Sequence, residues 1–214
     1  MHTPSPERRR VGLLGGTFDP IHIAHLIIAE EVRTTLNLDE MVFIPAGQPP
    51  HKLERQRAEP HHRLAMVELA IKSNPHFTIS RIEIDRPGPS YTADTLRLVN
   101  EQRGTNADLY FVIGGDSLAD LHTWYNPAGI LAQLTGLVAV QRPGYTENIE
   151  YNRQLEARLP GIMQRLISVV VPQMEISSTD LRRRVAEGRP IKYQVPEAVE
   201  QYIRHHGLYQ ITNK

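Results

Sequence analysis

Residues 15–25 read Gly-Gly-Thr-Phe-Asp-Pro-Ile-His-Ile-Ala-His. A short apolar run, residues 11–14, precedes this stretch, and a run of apolar residues with helical spacing, residues 26–36, follows it. That order predicts a strand, a glycine turn and a helix. Such a turn directs backbone N–H groups and the positive end of a helix at one point, and it therefore favours an anionic ligand.

Two histidines, His22 and His25, stand at the start of this predicted helix. Because they are three positions apart, they share one helix face, with Cβ atoms roughly 5–6 Å from each other. One interpretation of this pair is an anion site beneath two imidazole rings, which suits phosphate chemistry. The other interpretation is an ordinary pair of helix histidines without a role in binding. Zinc ligation is disfavoured because the H-E-x-x-H spacing is absent and the sequence offers no evident third ligand.

Composition and charge exclude several classes of function. The chain has 214 residues, of which 40% are apolar, with 24 basic residues, 24 acidic residues and no cysteine. The lack of cysteine excludes disulfides, thiolate zinc sites and a cysteine nucleophile, and the balanced charge argues against a general nucleic-acid binder. No apolar run approaches the ~20 residues that span a bilayer, and the N-terminus has no signal-peptide core. We therefore expect a cytoplasmic protein that binds neither nucleic acid nor membranes.

Apolar runs alternate with helical patterns along nearly the whole chain. Strands are predicted at residues 11–14, 40–45, 77–84, 109–113, 137–141 and 166–171. Helices are predicted at residues 23–36, 61–72, 91–102, 117–122, 146–158, 177–186 and 196–206. This alternation predicts an α/β fold with a Rossmann-like, doubly wound, mostly parallel sheet. Ligands of such sheets bind beyond the carboxyl ends of the strands, where the strand order reverses.

The chain divides into three predicted segments of a single domain. Residues 1–10 are expected to form a flexible N-terminal lead, residues 11–176 the Rossmann-like core, and residues 177–214 a helical C-terminal cap packed on that core. One long polar loop, residues 46–59, interrupts the core. Loops of this length in compact domains are often functional lids.

A second constellation, residues 176–182, reads Ile-Ser-Ser-Thr-Asp-Leu-Arg. A serine followed three residues later by an aspartate resembles a capping box and predicts a helix start. A well-capped helix with an exposed arginine is one interpretation. The other is a second phosphate-binding helix N-terminus, at which Arg182, one turn in from Ser178, adds a fixed charge suited to phosphate geometry.

Two further motifs offer polar or aromatic groups. Lys52 belongs to the sequence Gln-Pro-Pro-His-Lys, which is either a polar surface loop or a segment that closes over a triphosphate. Asp116 follows Gly114-Gly115 at the end of a predicted strand, where it either accepts from ribose hydroxyls or caps a helix. Trp124, the only tryptophan, is either a core residue or a platform for a flat heterocycle.

These residues together resemble a known family. GGTFDPIHIAH resembles the (H/T)xGH signature of the nucleotidylyltransferase superfamily, and ISSTDLR resembles its partner motif ISxTxIR. A narrower resemblance, to bacterial nicotinate-nucleotide adenylyltransferases, extends over nearly the whole chain. It is carried by QPPHK, RPGPSYTADTL, GGDS, TWY, QRPGY and the tail VPEAVEQYIRHHGLY. The chain departs from the family pattern at Ala24, where glycine is usual, and at Leu181, where isoleucine is common.

The resemblance implies a reaction and a set of site residues. ATP and nicotinate mononucleotide would give nicotinate adenine dinucleotide and pyrophosphate, by direct in-line attack on the α-phosphorus. The catalytic residues implied are His22, His25, Lys52 and Arg182. The ATP and phosphate contacts implied are Gly15, Gly16, Thr17, Phe18, Ile176, Ser177, Ser178 and Thr179. The mononucleotide contacts implied are Thr92, Asp116, Trp124 and Tyr125.

The implied cofactor is Mg²⁺, held mainly through the substrate phosphates and without a protein ligand. Two alternatives stay open at this point. The acceptor is either nicotinate mononucleotide or another phosphate ester, such as nicotinamide mononucleotide or phosphopantetheine. A nucleotide-binding module without catalysis is the alternative from another class, although His22, His25 and Arg182 argue against it. The sequence also leaves open whether the protein forms a homo-oligomer.

Overall fold

Six strands form one parallel sheet in the computed structural model, which describes residues 8–48, 58–146 and 148–210. The strands are β1 (Arg9–Gly16), β2 (Glu40–Pro45), β3 (Phe77–Ile79), β4 (Ala107–Gly114), β5 (Gly136–Gln141) and β6 (Leu166–Val170). Their order across the sheet is β3-β2-β1-β4-β5-β6, and every neighbouring pair is parallel. The predicted Rossmann-like, doubly wound fold is therefore confirmed.

Eight α-helices flank this sheet within the described ranges. They are α1 (Ile23–Thr35), α2 (Pro60–Ile71), α3 (Thr92–Arg103), α4 (Gly115–Asp120), α5 (Pro127–Ala132), α6 (Ile149–Arg158), α7 (Ser178–Ala186) and α8 (Glu197–His205). Short 3₁₀ turns lie at Gly104–Asn106, Leu121–Thr123 and Ile162–Gln164. No helix of the described residues is both long enough and apolar enough to cross a membrane.

Two elements differ most from the sequence prediction, whereas most of the others differ from it by one to three residues at their ends. The strand predicted at residues 77–84 ends at Ile79, because the chain then turns and the N–H of Asp85 donates to the carbonyl oxygen of Arg81 at 2.9 Å. The apolar residues that follow Ile79 suggested a longer strand, but the pairing ends at Ile79 and Phe43, although β2 itself continues to Pro45.

The other difference is α5, which the sequence prediction lacks. Asn126 caps this helix by accepting a hydrogen bond from the N–H of Gly129 at 3.1 Å, and Pro127 occupies its first turn. Both are recognised helix-start signals. The helix has only six residues, which is too short for a periodic apolar pattern to stand out.

Two apolar layers cover the faces of the sheet. Alternate strand residues point to opposite faces, so Leu14 and Phe43 join one core and Leu13 and Ile44 join the other. The first core is completed by α1, α2 and the C-terminal helices, and the second by α3, α5 and α6. The C-terminal segment thus packs on the same face as α1 and α2, where Val199 is completely buried.

The strand order reverses between β1 and β4. Strands β2 and β3 lie to one side of β1, and β4, β5 and β6 lie to the other. The chain therefore leaves Gly16 of β1 and Gly114 of β4 towards opposite faces, which opens a crevice at their carboxyl ends. The glycine turn at residues 15–18 lies at this point, as predicted.

Candidate active site

A cavity of about 330 Å³ lies in the crevice between the carboxyl ends of β1 and β4. Gly15 and Gly16 line it on the β1 side, and His25 of α1 lines it as well. Thr92, the first residue of α3, and Trp124 complete the wall. The structure therefore brings the predicted turn, one of the two histidines and two of the predicted mononucleotide contacts to one cavity.

A larger cavity, of about 1050 Å³, adjoins the first at the carboxyl ends of β4, β5 and β6. Ile28, Gly114 and Val140 line both cavities, so the two share a wall. Ile176 and Ser177, two of the predicted ATP contacts, line the larger cavity. The crevice thus offers room for two ligands that meet at its centre.

His22 and His25 form a stacked pair at the start of α1. Their ring centroids lie 3.6 Å apart with 22° between the ring planes. The ring of Phe18 meets the His25 ring edge-on, with 5.1 Å between the centroids. His25 is half-buried, whereas His22 is only 5% exposed. The structure therefore brings His25 to the crevice and buries its partner.

Burial keeps both imidazole rings neutral near pH 7. It lowers the pKa of His22 from 6.5 to about 4. Burial and, next, the neighbouring His22 hold the pKa of His25 well below its ordinary value. The Nδ1 atom of His25 accepts a hydrogen bond from the backbone N–H of His22 at 3.2 Å, so the proton of the neutral His25 ring is on Nε2. His25 is therefore a neutral donor at the crevice.

The start of α1 presents fewer free N–H groups than the sequence predicts. The N–H of His22 donates to the His25 side chain, and the N–H of Ile23 donates to the carbonyl oxygen of Gln194 at 3.0 Å. The prediction failed here because Gln194 is remote in sequence and reaches the helix only in the folded chain. The N–H groups of His22 and Ile23 are thus engaged within the protein.

The turn that precedes α1 is tightly packed. A Cβ atom on Gly16 would lie 2.9 Å from the ring of Phe18, so only glycine fits at this position. Phe18 has a positive φ of 49°, and its side chain is 2% exposed in the first core. Of the predicted phosphate contacts, Phe18 can therefore offer only its backbone. Thr17 is half-buried, and its carbonyl oxygen accepts from Arg63 Nη1 at 2.9 Å.

The second predicted turn, residues 176–182, does start a helix. Ser177 Oγ accepts a hydrogen bond from the N–H of Asp180 at 3.1 Å and caps α7. Arg182 lies one turn further on, and its Nη2 approaches Thr179 Oγ1 at 3.4 Å. The predicted cap is therefore confirmed, whereas the exposed arginine of that interpretation is wrong, because the side chain of Arg182 is only 14% exposed.

The same helix start also packs against the loop that leads into α1. Ser178 Oγ donates to the carbonyl oxygen of Pro20 at 2.9 Å. Arg182 Nη1 donates to the carbonyl oxygen of Asp19 at 2.8 Å and lies 3.7 Å from the Asp19 carboxylate. The two turns are thus in direct contact, at positions two and three residues before His22.

The remaining predicted site residues lie in different surroundings. Asp116 is exposed and lines the larger cavity, on the side of Ile176 rather than beside Thr92. The side chain of Tyr125 is 58% exposed and packs on Tyr91, with 4.7 Å between the ring centroids. Lys52 lies outside the described residues.

Comparison with known proteins identifies the family to which this chain belongs. Residues 13–184 match the cytidylyltransferase-like family model. A Roseiflexus sp. (strain RS-1) protein named "Probable nicotinate-nucleotide adenylyltransferase" is 52% identical over 94% of this chain and 98% of its own length. A Thermomicrobium roseum protein of the same name is 49% identical over 94% of this chain and 92% of its own. The chain belongs to the nicotinate-nucleotide adenylyltransferases of the cytidylyltransferase-like family.

Solved structures support the same fold. The Plasmodium falciparum nicotinic acid mononucleotide adenylyltransferase complexed with NaAD superimposes with a TM-score of 0.76, at 19% identity, over 96% of this chain and 100% of that one. The same enzyme complexed with APC gives a TM-score of 0.74 at 18% identity, over 96% and 100% of the two chains. The family resemblance stated from the sequence motifs is therefore confirmed. The methyl group of Ala24, where the family motif usually has glycine, lines the larger cavity.

Sequence reasoning missed a set of buried polar residues beneath this adenylyltransferase crevice. Asp19 is 1% exposed and accepts from Tyr209 Oη at 2.7 Å through its Oδ1 atom. Glu83 lines the smaller cavity, burial raises the pKa of its carboxyl group, and Thr95 Oγ1 donates to its Oε1 atom at 2.7 Å. Arg63 is 3% exposed. The sequence predicts no role for any of these side chains.

One of them has a signal in the sequence. Arg63 stands three, four and seven positions before Met66, Val67 and Ala70, and all four are buried on one face of α2. An arginine on the apolar face of a helix is uncommon, because a buried guanidinium needs hydrogen-bond partners. Asp19 and Glu83 have no comparable local signal, since their partners come from remote segments.

Proposed function

We propose that this protein joins the adenylyl group of ATP to the 5′-phosphate of nicotinate mononucleotide, giving nicotinate adenine dinucleotide and pyrophosphate in NAD biosynthesis. The observation that carries the proposal is the pair of adjoining cavities where the strand order reverses, the smaller of which is lined by His25. The names of the curated relatives and the NaAD complex of the structural neighbour support the choice of substrates.

In this proposal the smaller cavity takes the nicotinate mononucleotide. Trp124 offers a flat surface for the pyridine ring, and Thr92 begins α3, whose positive dipole end favours a carboxylate. The larger cavity takes the adenosine end of ATP, alongside Ile176 and Ser177. The phosphates then lie between the two ligands, next to His25.

The chemistry needs no protein nucleophile. An oxygen of the mononucleotide phosphate forms a bond to the α-phosphorus of ATP, and the bond from that phosphorus to the bridging oxygen of pyrophosphate breaks. Catalysis then consists of holding the two phosphates in line and stabilising the charge that develops on the transferring group. Neutral donors and fixed cations are the side chains that this task requires.

The side chains at the crevice fit these roles. His25 donates from Nε2 to a phosphate oxygen, and His22, stacked behind it, fixes the orientation of its ring through the hydrogen bond to Nδ1. Arg182 brings positive charge to the loop before α1. Lys52 keeps the phosphate-binding role that the family motif implies, as a proposal.

Mg²⁺ enters this proposal together with the nucleotide. Within residues 8–48, 58–146 and 148–210, no group of three histidine or acidic side chains is arranged to hold a metal ion. Exposed Asp116 offers one carboxylate at the larger cavity, which fits an ion that keeps water and phosphate oxygens as its main ligands. The bound ion would neutralise charge on the phosphates, and the protein would hold the phosphates themselves.

A pyrophosphate-release assay tests the proposal. The purified protein is mixed with ATP and, separately, with nicotinate mononucleotide, nicotinamide mononucleotide or phosphopantetheine, and the dinucleotide product is identified by mass. We expect the highest kcat/KM with nicotinate mononucleotide. A higher value with either other acceptor would reassign the substrate, and nucleotide binding without pyrophosphate release would indicate a non-catalytic module.

A further inference from the structure

Arg63 is a buried charged residue that contacts the backbone of the glycine turn at the site. It lies in the first turn of α2 and is 3% exposed. Placing a guanidinium in the interior is unfavourable unless its N–H groups find acceptors. A guanidinium buried at this position in α2 therefore needs several hydrogen-bond acceptors within its reach.

Its acceptors include three backbone carbonyl oxygens from three different segments. Nη1 of Arg63 donates to Thr17 at 2.9 Å, Nη2 donates to Gly47 at 3.1 Å, and Nε donates to Ala58 at 3.3 Å. Thr17 belongs to the glycine turn, Gly47 follows β2, and Ala58 precedes α2. One planar side chain thus fixes the separation of the turn from two neighbouring segments.

The backbone at Gly47 is itself bound to a residue that lines the smaller cavity. The N–H groups of Gly47 and Gln48 both donate to Ser90 Oγ at 3.2 Å, and Ser90 lines that cavity. A Cβ atom on Gly47 would lie 2.0 Å from the carbonyl oxygen of Glu83, so the backbone is in close contact on the other side as well. The backbone at Gly47 is therefore held in place on both sides, and Arg63 binds to it there.

The Ala58 end is fixed by a carboxylate. The N–H of Ala58 donates to Asp19 Oδ1 at 3.1 Å, while its carbonyl oxygen accepts from Arg63. Asp19 also accepts from Tyr209 and contacts Arg182. The turn, the segment before α2 and the C-terminal cap are thus joined beneath the crevice by two buried charges of opposite sign.

We infer that Arg63 is a positioning residue for adenylyl transfer: it holds the Thr17–Phe18 backbone so that the ring of Phe18 keeps His25 in place at the phosphates. This inference rests on the function proposed above. The links are the hydrogen bond from Arg63 to the Thr17 carbonyl oxygen and the edge-on contact between Phe18 and His25. Arg63 itself acts through these groups and does not touch the substrate.

The test compares Arg63→Lys with Arg103→Lys. A lysine ammonium keeps the charge but cannot reach three carbonyl groups in the geometry of the guanidinium fork. Arg103 is a matched control, because both of its terminal nitrogens bind the carboxylate of Glu40, at 2.9 and 3.1 Å. It ends α3, about 17 Å along the helix axis from Thr92, and its partner Glu40 is the first residue of β2, at the end of that strand away from the crevice.

Three quantities are measured for each variant: kcat, the affinity for nicotinate mononucleotide and Tm. Trp124 is the only tryptophan and lines the smaller cavity, so its fluorescence reports acceptor binding without turnover. We expect Arg63→Lys to lower kcat by about 10- to 100-fold, while the affinity stays within about threefold of the wild-type value. We expect Arg103→Lys to lower Tm and to leave kcat within about twofold.

Other results overturn the inference. One is a wild-type kcat in Arg63→Lys. The other is that kcat and acceptor affinity both fall in both variants, by more in the variant with the lower Tm. If Arg63→Lys does not fold, Arg63→Gln replaces it, and failure of both to fold would assign Arg63 to folding alone. An inactive wild-type protein would contradict the proposed function itself, whereas a fully active Arg63→Lys protein contradicts only this inference.

Discussion

Arg182 Nη1 donates to the backbone carbonyl oxygen of Asp19 at 2.8 Å, although 163 residues separate the two in sequence. The side chain of Arg182 is only 14% exposed, and the carboxylate of Asp19 lies 3.7 Å from it. This contact joins the second turn of α7 to the loop before α1. The two motifs of the family resemblance are therefore in direct contact, through the hydrogen bond from Arg182 to the loop before α1.

The first prediction concerns this arginine. We expect Arg182→Lys to lower kcat by about 10- to 100-fold, because a lysine lacks the planar fork that reaches the Asp19 carbonyl oxygen and the phosphates together. Pyrophosphate release at saturating substrates measures the effect. Arg183→Lys is the matched control, since Arg183 is the next residue of α7, is 63% exposed and pairs with Asp180. Equal activities of the two variants would remove the role proposed for Arg182.

The second prediction concerns the exposed member of the histidine pair. We expect His25→Ala to lower kcat by about 10²- to 10³-fold, the usual effect of removing one donor that stabilises the transition state. The circular dichroism spectrum should stay that of the wild type, because His25 is only half-buried. His76→Ala removes an exposed imidazole just before β3, at the opposite edge of the sheet, and should keep wild-type turnover. Turnover of His25→Ala close to the wild-type value would contradict its catalytic role.

The third prediction concerns acceptor binding. We expect Trp124→Ala to raise the KM for nicotinate mononucleotide by about 10- to 100-fold, as expected for the loss of one aromatic stacking contact. Trp124→Phe keeps a flat ring and should recover most of the affinity. Tyr193→Ala, which truncates an aromatic residue that is 85% exposed, serves as the control for surface effects. An unchanged KM in Trp124→Ala would make Trp124 a core residue.

The fourth prediction concerns the stability of the protein in acid. The pKa of His22 is about 4 in the folded chain and 6.5 in the unfolded chain, so the unfolded state binds more protons between these values. The stabilisation is complete above pH 6.5 and is lost as the pH falls towards 4. It amounts to about 3 kcal/mol, from a shift of roughly two and a half pKa units.

Urea unfolding at several pH values between 7 and 4 checks this prediction. The free energy of unfolding of His22→Gln should fall less steeply with decreasing pH than that of the wild type, because glutamine does not titrate. His76→Gln, which replaces an exposed histidine, serves as the control for the substitution itself. Parallel curves for His22→Gln and the wild type would show that the His22 ring is not held neutral by burial.

Much of the fold could be predicted from the sequence because its signals are local. β2 has the predicted bounds, and α1 begins at the predicted residue, because apolar period and capping residues act over a few positions. The Ser177 cap is of the same kind. The bounds of β3 and the presence of α5 were harder to predict, since a turn at residues 81–85 follows β3 and α5 is too short to show a period.

The site was predictable only in part. The glycine turn, the histidine pair and the start of α7 carry their own sequence patterns. The use of the Ile23 N–H by Gln194 was not predictable, and neither was the burial of His22, because both depend on which remote segment packs above α1. The placement of Asp116 at the larger cavity likewise depends on how β4 and β5 are ordered in the sheet.

The amino-acid sequence by itself determined the alternation of strands and helices, the two turns that suit phosphate and the family of the chain, since each follows from residues close together. Only the tertiary structure decided that Arg182 reaches Asp19, that Arg63 joins Thr17 to two other segments, and that burial keeps the histidines neutral. These properties arise from contacts between residues far apart in the chain, and from the exclusion of water that only complete packing produces.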